Sequence, residues 1–128
     1  MTAKKVLVVD DEIHIVHVVA IKLRNNGFDV ITAQNGMDAF GLACQEKPDL
    51  IITDFQMPGM TGLELVEALR DKSDTAGMPV IMLTARGFAI DSVQKEKLRI
   101  AEFLSKPFSP KELLRTVEDV LHLTAVAQ

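Results

Sequence analysis

Lys5-Val6-Leu7-Val8-Val9-Asp10-Asp11-Glu12 opens an alternation that runs through the whole chain. Val6–Val9 is too short for a helix and reads as a strand buried on both faces, which stops at a pair of acids. Three further runs stop at one polar residue each. Leu50–Ile52, then Thr53, ends at Asp54; Val80–Leu83 ends at Thr84; Phe103-Leu104, then Ser105, ends at Lys106. In an open α/β sheet the binding crevice lies beyond the carboxyl ends of the strands. Three carboxylates, one hydroxyl and one amine are therefore expected in one crevice, a set that suits a hard metal ion and a phosphoryl group.

Helical patterns fill the gaps. Glu12–Asn26 places Ile13, Val16, Ala20 and Leu23 at helical spacing and stops at Asn25-Asn26-Gly27. Its many β-branched residues weaken the helix propensity, but its length exceeds that of a strand. Phe28–Ala33 is a second strand, and Asn35 caps a helix that runs to Glu46 before Lys47-Pro48. A loop from Phe55 to Gly62 leads to a helix over Leu63–Arg70, with Leu65, Val66 and Leu69 inward. After the polar loop Asp71–Met78, Pro79 opens the fourth strand; Ile90–Ile100 is the fourth helix and Ala101–Ser105 the last strand. Ser109, Pro110 and Glu112 predict a capping box for the final helix, whose stripe is Leu113, Val117, Val120 and Leu121. The pattern is (βα)5, an α/β fold with a doubly wound, open parallel sheet and right-handed crossovers.

The bulk properties narrow the function. The 128 residues, with no linker or low-complexity tract, are expected to form one domain over 1–128, with no output domain expected in this chain. A net charge of −4 and a pI near 5.3 argue against nucleic-acid binding by this domain. No apolar stretch approaches the ~20 residues of a membrane span, and the N-terminus lacks the cleavage pattern of a signal peptide. The single cysteine, Cys44, excludes an internal disulfide, so a cytoplasmic location is expected.

Each polar residue has an ordinary reading too. Asp10 and Asp11 repel each other, and a cation would keep both ionised, Mg2+ fitting best; acids at a helix N-terminus are the plainer alternative. Asp54 could attack a phosphoryl donor to give an acyl phosphate, or sit in a turn. Thr84 could be a strand residue and Lys106 a surface lysine. What argues for a site is that all of them fall at strand ends.

Four segments carry a family resemblance: Val8-Val9-Asp10-Asp11-Glu12, Ile52-Thr53-Asp54-Phe55-Gln56-Met57-Pro58-Gly59-Met60-Thr61-Gly62, Leu83-Thr84-Ala85 and Lys106-Pro107-Phe108. In combination and order they resemble the receiver domain of bacterial two-component response regulators, over essentially the whole chain. The resemblance implies a flavodoxin-like strand order 2-1-3-4-5. It implies that Asp10, Asp11 and Asp54, with the backbone carbonyl of Gln56, hold Mg2+. Asp54 would accept a phosphoryl group from a phosphohistidine of a sensor histidine kinase or histidine phosphotransfer protein. Thr84, the Ala85 amide and Lys106 would bind the phosphoryl oxygens. Pro107 would be a cis-proline that aims Lys106. Switching would move Thr84 toward the phosphate and open space for the aromatic ring of Phe103. The face made by the fourth helix, last strand and fifth helix would then engage an unknown downstream protein, the chain being a monomer or weak dimer.

The chain also has features of its own. Gln56 and Arg86, two residues past Asp54 and Thr84, should flank the phosphate and slow its hydrolysis. Phe103 stands where many family members carry Tyr. No glycine precedes the last strand, so the fourth helix must stop in another geometry or fray, and its charged stretch Gln94–Arg99 is a solvated face or a partner site. His14 and His17, at i and i+3, have a spacing that can bind metal but no third ligand nearby in sequence. Gly36 and Gly41 have P-loop spacing, but Leu42-Ala43 replace the Lys-Ser/Thr that motif needs. Met57, Met60, Met78 and Met82 read as core and loop filler, and Cys44 as a small buried residue. Two rival functions stay open: a pseudo-receiver that binds partners without phosphorylation, and an Asp-nucleophile phosphatase. The phosphatase would want Asp-x-Asp at the first strand end, whereas Asp10 and Asp11 are adjacent.

Overall fold

The computed structural model describes residues 3–85 and 92–126, with side chains of the final helix as far as His122. Five strands, β1 (Lys5–Val9), β2 (Asp29–Ala33), β3 (Leu50–Asp54), β4 (Val80–Thr84) and β5 (Glu102–Ser105), alternate with five helices. These are α1 (Ile13–Arg24), α2 (Gly36–Glu46), α3 (Gly62–Asp71), α4 (Ser92–Leu98) and α5 (Pro110–Val126). The strands form one parallel sheet in the order β2-β1-β3-β4-β5, as expected.

The two-residue period of the strands divides the core. Leu7, Val9, Ile51, Val80 and Met82 face α2, α3 and the end of α4, while Val6, Val8, Leu50, Ile52, Ile81 and Leu83 face α1 and α5. The central strands are covered on both sides, which is why they read as unbroken apolar runs. Register then fixes the site. Val9 pairs with Thr53, and Thr84 with Ser105, so Asp10 and Asp54 leave neighbouring strands at one level and Lys106 follows β5.

Local signals explain most boundaries. The Asn35 side chain accepts from the Asp38 amide at 2.8 Å, and Lys47 ends α2 in the left-handed region at φ 49° before Pro48. Gly27, at φ 89°, turns the chain after α1. In α1, Val16, Val19, Ala20 and Leu23 are buried, but Ile13 is nearly half exposed, so it is not part of the inward stripe. Ser109 accepts from the Glu112 amide at 3.0 Å, as its spacing predicts. A full reciprocal capping box lies elsewhere, between Thr61 and Glu64, and starts α3 one residue before the position expected from sequence. In α5, Leu113, Val117 and Val120 are buried and Leu121 is half-buried.

The end of α4 settles the question raised by the missing glycine. Arg99 adopts φ 54°, its amide donates to the Glu96 carbonyl, and the Ile100 amide donates to Lys95. This is a Schellman stop with arginine at the left-handed position, a conformation that costs a β-carbon-bearing residue about 1–2 kcal/mol. The helix therefore ends at Leu98 rather than Ile100, and the expected start at Ile90 lies outside the described residues. Cys44 is half-buried on α2 rather than fully buried. Met57, Met78 and Met82 are core residues. No helix among the described residues is long and apolar enough to cross a membrane.

Candidate functional site

Asp10 is fully buried where β1 ends, and its Oδ1 accepts from the Glu12 amide at 3.0 Å, which turns the chain into α1. Asp11 is exposed beside it. Asp54 ends β3 and is 8 % exposed. The Lys106 ammonium reaches three acids. It lies 2.8 Å from Asp10 Oδ2, 3.4 Å from Asp54 Oδ1 and 3.3 Å from Glu12 Oε1. The Lys106–Pro107 peptide is cis, as the resemblance implied, and the Lys106 amide donates to the Thr84 carbonyl at 2.7 Å.

These groups edge a cavity of about 220 Å³ lined by Asp11, Glu12, Asp54, Phe55, Gln56, Ala85 and Lys106. Thr84 itself is buried at the end of β4, and the exposed Ala85 lines the wall instead. Gln56 is exposed at the rim, whereas Arg86 lies outside the described residues. Phe103 is half-buried against the α3 and α4 side of the core, with the Lys95 ammonium 5.3 Å from its ring centre. His14 and His17 are exposed; His14 lies 3.5 Å from Glu12, and neither joins the acidic cluster.

The electrostatics follow from burial and crowding. Burial, then the charge of Asp10, pushes the Asp54 carboxyl up from 3.8 to about 6, with Asp11 adding to the rise and Lys106 opposing it. Burial also raises Asp10, against hydrogen bonds from Lys106 and the Glu12 amide. For Lys106, burial alone acts downward, but Asp10, Asp54 and Glu12 together hold its ammonium above the ordinary lysine value. One cation thus serves three acids and does not fully offset their repulsion.

The donor set fits a divalent cation. Asp10, Asp11 and Asp54 each offer a carboxylate oxygen, all within 4.8 Å of one another. Asp10 Oδ2 is buried without a hydrogen-bond partner, its ion pair with Lys106 aside. A hard oxygen-only cluster with open positions is the kind of site Mg2+ takes.

Gly62 is the residue here that sequence reasoning left in a loop without a role. A β-carbon at Gly62 would run into the Asp54 carbonyl oxygen, the Met82 Sδ at 2.9 Å and the Phe55 Cα at 3.1 Å. Its amide donates to the Phe55 carbonyl at 2.8 Å, closing the loop that leaves the site. Gly62→Ala should lower stability by ~1–3 kcal/mol through overpacking against backbone and shift the amide resonances of Asp54 and Phe55. Thermal unfolding and amide spectra check this; an unshifted site would show that the glycine merely fills space.

The acid cluster and the lysine lie beyond the carboxyl ends of the strands, where open doubly wound sheets bind their ligands. The model of the response regulator receiver domain matches residues 6–118, and the chain belongs to that family. It is 36% identical over 124 residues to the phosphate regulon transcriptional regulatory protein PhoB of Pseudomonas aeruginosa, covering 97% of this chain and 54% of that protein. It is 40% identical over 124 residues to the alkaline phosphatase synthesis transcriptional regulatory protein PhoP of Bacillus subtilis, covering 97% of this chain and 51% of that protein. The chain thus spans about half the length of these curated relatives. The structure of chemotaxis response regulator CheY4 of Vibrio cholerae superposes with a TM-score of 0.86 at 38% identity, covering 93% of this chain and 99% of that one. The chain is accordingly a receiver domain of the response regulators of two-component signalling.

Proposed function

We propose that Asp54 is the phosphoacceptor, served by Lys106, Thr84 and the Ala85 amide, and that a sensor histidine kinase or histidine phosphotransfer protein is the donor. The observation that carries this reading is the Asp54 carboxylate in the wall of an open cavity, 3.4 Å from the one ammonium that Asp10 also holds. An Asp54 oxygen attacks phosphorus, the phosphorus–nitrogen bond to the donor imidazole breaks, and the imidazole leaves with the bonding pair and takes a proton. The product is an acyl phosphate. Lys106 moves its charge from the carboxylates to the incoming phosphoryl oxygens, and the buried Thr84 turns its hydroxyl toward them. Asp10, Asp11, Asp54 and the Gln56 carbonyl would hold Mg2+, which would supply further positive charge against those oxygens.

A cleft of about 440 Å³, lined by Ile15, Val18, Val19, Pro107 and Phe108 and sharing Glu12, Ala85 and Lys106 with the acid pocket, is the surface on which the donor protein would rest. Displacement of Thr84 makes room for the Phe103 ring, and this packing change reaches the face of α4, β5 and α5. The domain over 1–128 works in the cytoplasm as a monomer or weak dimer, with a protein rather than nucleic acid as its downstream partner.

Incubation with Mg2+ and a small acyl phosphate, followed by intact mass, tests the reading. A labile single-phosphoryl adduct is expected on the wild type and none on Asp54→Asn. No wild-type adduct would favour the phosphorylation-independent module, and steady turnover of phosphate esters would favour the phosphatase. Gln56 and Arg86 should also prolong the acyl phosphate. In Gln56→Ala/Arg86→Ala the adduct is expected to decay several-fold faster, and equal decay rates would remove that role.

A further inference from the structure

Glu12 borders the acid pocket without joining its carboxylate cluster. It is the N-cap of α1, yet its side chain accepts no hydrogen bond from the first turn of that helix. A polar side chain in that position ordinarily turns back to the amide two or three residues on. That of Glu12 turns to the pocket instead: Oε1 accepts from the Lys106 ammonium at 3.3 Å, and Oε2 lies 3.5 Å from Nε2 of the exposed His14. Its backbone is fixed at both ends. The amide donates to Asp10 Oδ1 at 3.0 Å, and the carbonyl accepts from the Ile15 and Val16 amides at 3.0 and 3.2 Å. The half-exposed carboxylate stands on the rim shared by the acid pocket and the apolar cleft.

Three acids share Lys106, and the reaction loosens the hold of two. Asp54 gives up its carboxylate charge on becoming an acyl phosphate, and Asp10 belongs to the cluster that fits a divalent cation. Glu12 is neither the phosphoacceptor nor one of the three acids whose oxygens lie within 4.8 Å of one another. Its claim on the ammonium is the one that the chemistry leaves intact when phosphoryl oxygens arrive. Lys106 has to be drawn away from it before its charge can meet them.

We propose that Glu12 restrains Lys106: it holds the ammonium at the pocket rim until phosphoryl oxygens displace it, and so slows the phosphorylation of Asp54. The proposal rests on the phosphoacceptor reading above. Glu12 is a positioning residue, acting through Lys106 without touching the reacting atoms. Contact, not charge alone, carries the effect. An aspartate at position 12 keeps the charge on the same fixed backbone but is one methylene shorter, so it falls short of the ammonium and turns to the helix amides that an N-cap aspartate favours.

Rates of adduct formation from a small acyl phosphate in Mg2+, read by intact mass on the whole chain, test this. Glu12→Gln and Glu12→Asp are both expected to react about two- to fivefold faster than the wild type, the scale of one half-exposed ion pair. If only Glu12→Gln gains and Glu12→Asp keeps the wild-type rate, the charge merely repels the donor and the restraint is refuted. In a Lys106→Met background Glu12→Gln should leave the rate unchanged, since nothing remains to be held; an equal gain there would also refute it. A second readout needs no phosphoryl donor. In chelator, the Lys106 ammonium signal in side-chain nitrogen NMR should shift in both Glu12 variants, and an unmoved signal would overturn the proposal whatever the rates. A wild type that forms no adduct sinks the phosphoacceptor reading, and the restraint with it, even where the lysine signal shifts.

Discussion

Asp54→Asn is expected to lose the phosphoryl adduct completely and, free of metal at neutral pH, to unfold at a higher temperature than the wild type. The two effects have one cause. In the folded chain the Asp54 carboxyl titrates at about 6, raised from 3.8 because burial and the charges of Asp10 and Asp11 outweigh Lys106. Between those values the folded state keeps a proton that the unfolded chain has released. Stability therefore falls as pH rises through that window, and the loss is fully present at neutral pH. Asparagine resembles the neutral acid in shape and removes the loss. A shift of about two units corresponds to an upper bound of ~3 kcal/mol, and coupling with Asp10 and Lys106 brings the expected gain to ~1–3 kcal/mol.

Thermal unfolding of both proteins at pH 5 and pH 7, in chelator and in Mg2+, checks this. The gap should be widest at pH 7 in chelator, narrower at pH 5 where the wild-type carboxyl is largely protonated, and narrower again with Mg2+. A variant less stable than the wild type under all four conditions would mean that the Asp54–Lys106 pair at 3.4 Å is net favourable, and that the acid pocket carries no stored repulsion.

This tension at the site was legible in the sequence only in outline. The strand ends were readable because a parallel sheet buried on both faces demands apolar runs, and a polar residue at the end of such a run marks where the core stops. Asp10, Asp54, Thr84 and Lys106 were found that way. The register of Val9 with Thr53 and of Thr84 with Ser105 gave the rest of the geometry. Three things were hidden. The capping box at Thr61 and Glu64 lay inside a loop motif that drew attention to its prolines and glycines. The left-handed Arg99 broke the habit of reading helix ends from glycine, because Arg70 on α3, which donates to the Leu98 and Arg99 carbonyls, holds the conformation from outside the local sequence. Arg70 itself could not be singled out, since its four acceptors are backbone carbonyls that leave no pattern in side chains.

Lys106→Met should do the opposite of Asp54→Asn in stability while also impairing the chemistry. Methionine keeps the length of the side chain and most of its packing but removes the only cation within 4.0 Å of Asp10 and Asp54 among the described residues. Asp10 Oδ2, fully buried, then has neither an ion pair nor a hydrogen bond. Removing one partner of a buried pair costs ~3–5 kcal/mol, and the solvent that reaches Lys106 reduces this to an expected ~2–4 kcal/mol in chelator at pH 7. Both carboxyls should titrate higher than in the wild type, so lowering the pH to 5 neutralises them and recovers much of the loss. In the wild type, the stabilisation from the raised Lys106 value is present below the ordinary lysine range and disappears only when pH climbs through the folded value. Adduct formation from a small acyl phosphate should slow by about a hundredfold, the usual cost of deleting one charge-stabilising donor. Mg2+ should restore stability more than rate, since a cation among the carboxylates relieves their repulsion without replacing an ammonium aimed at the phosphoryl oxygens. Equal recovery of both would assign Lys106 to the resting fold alone.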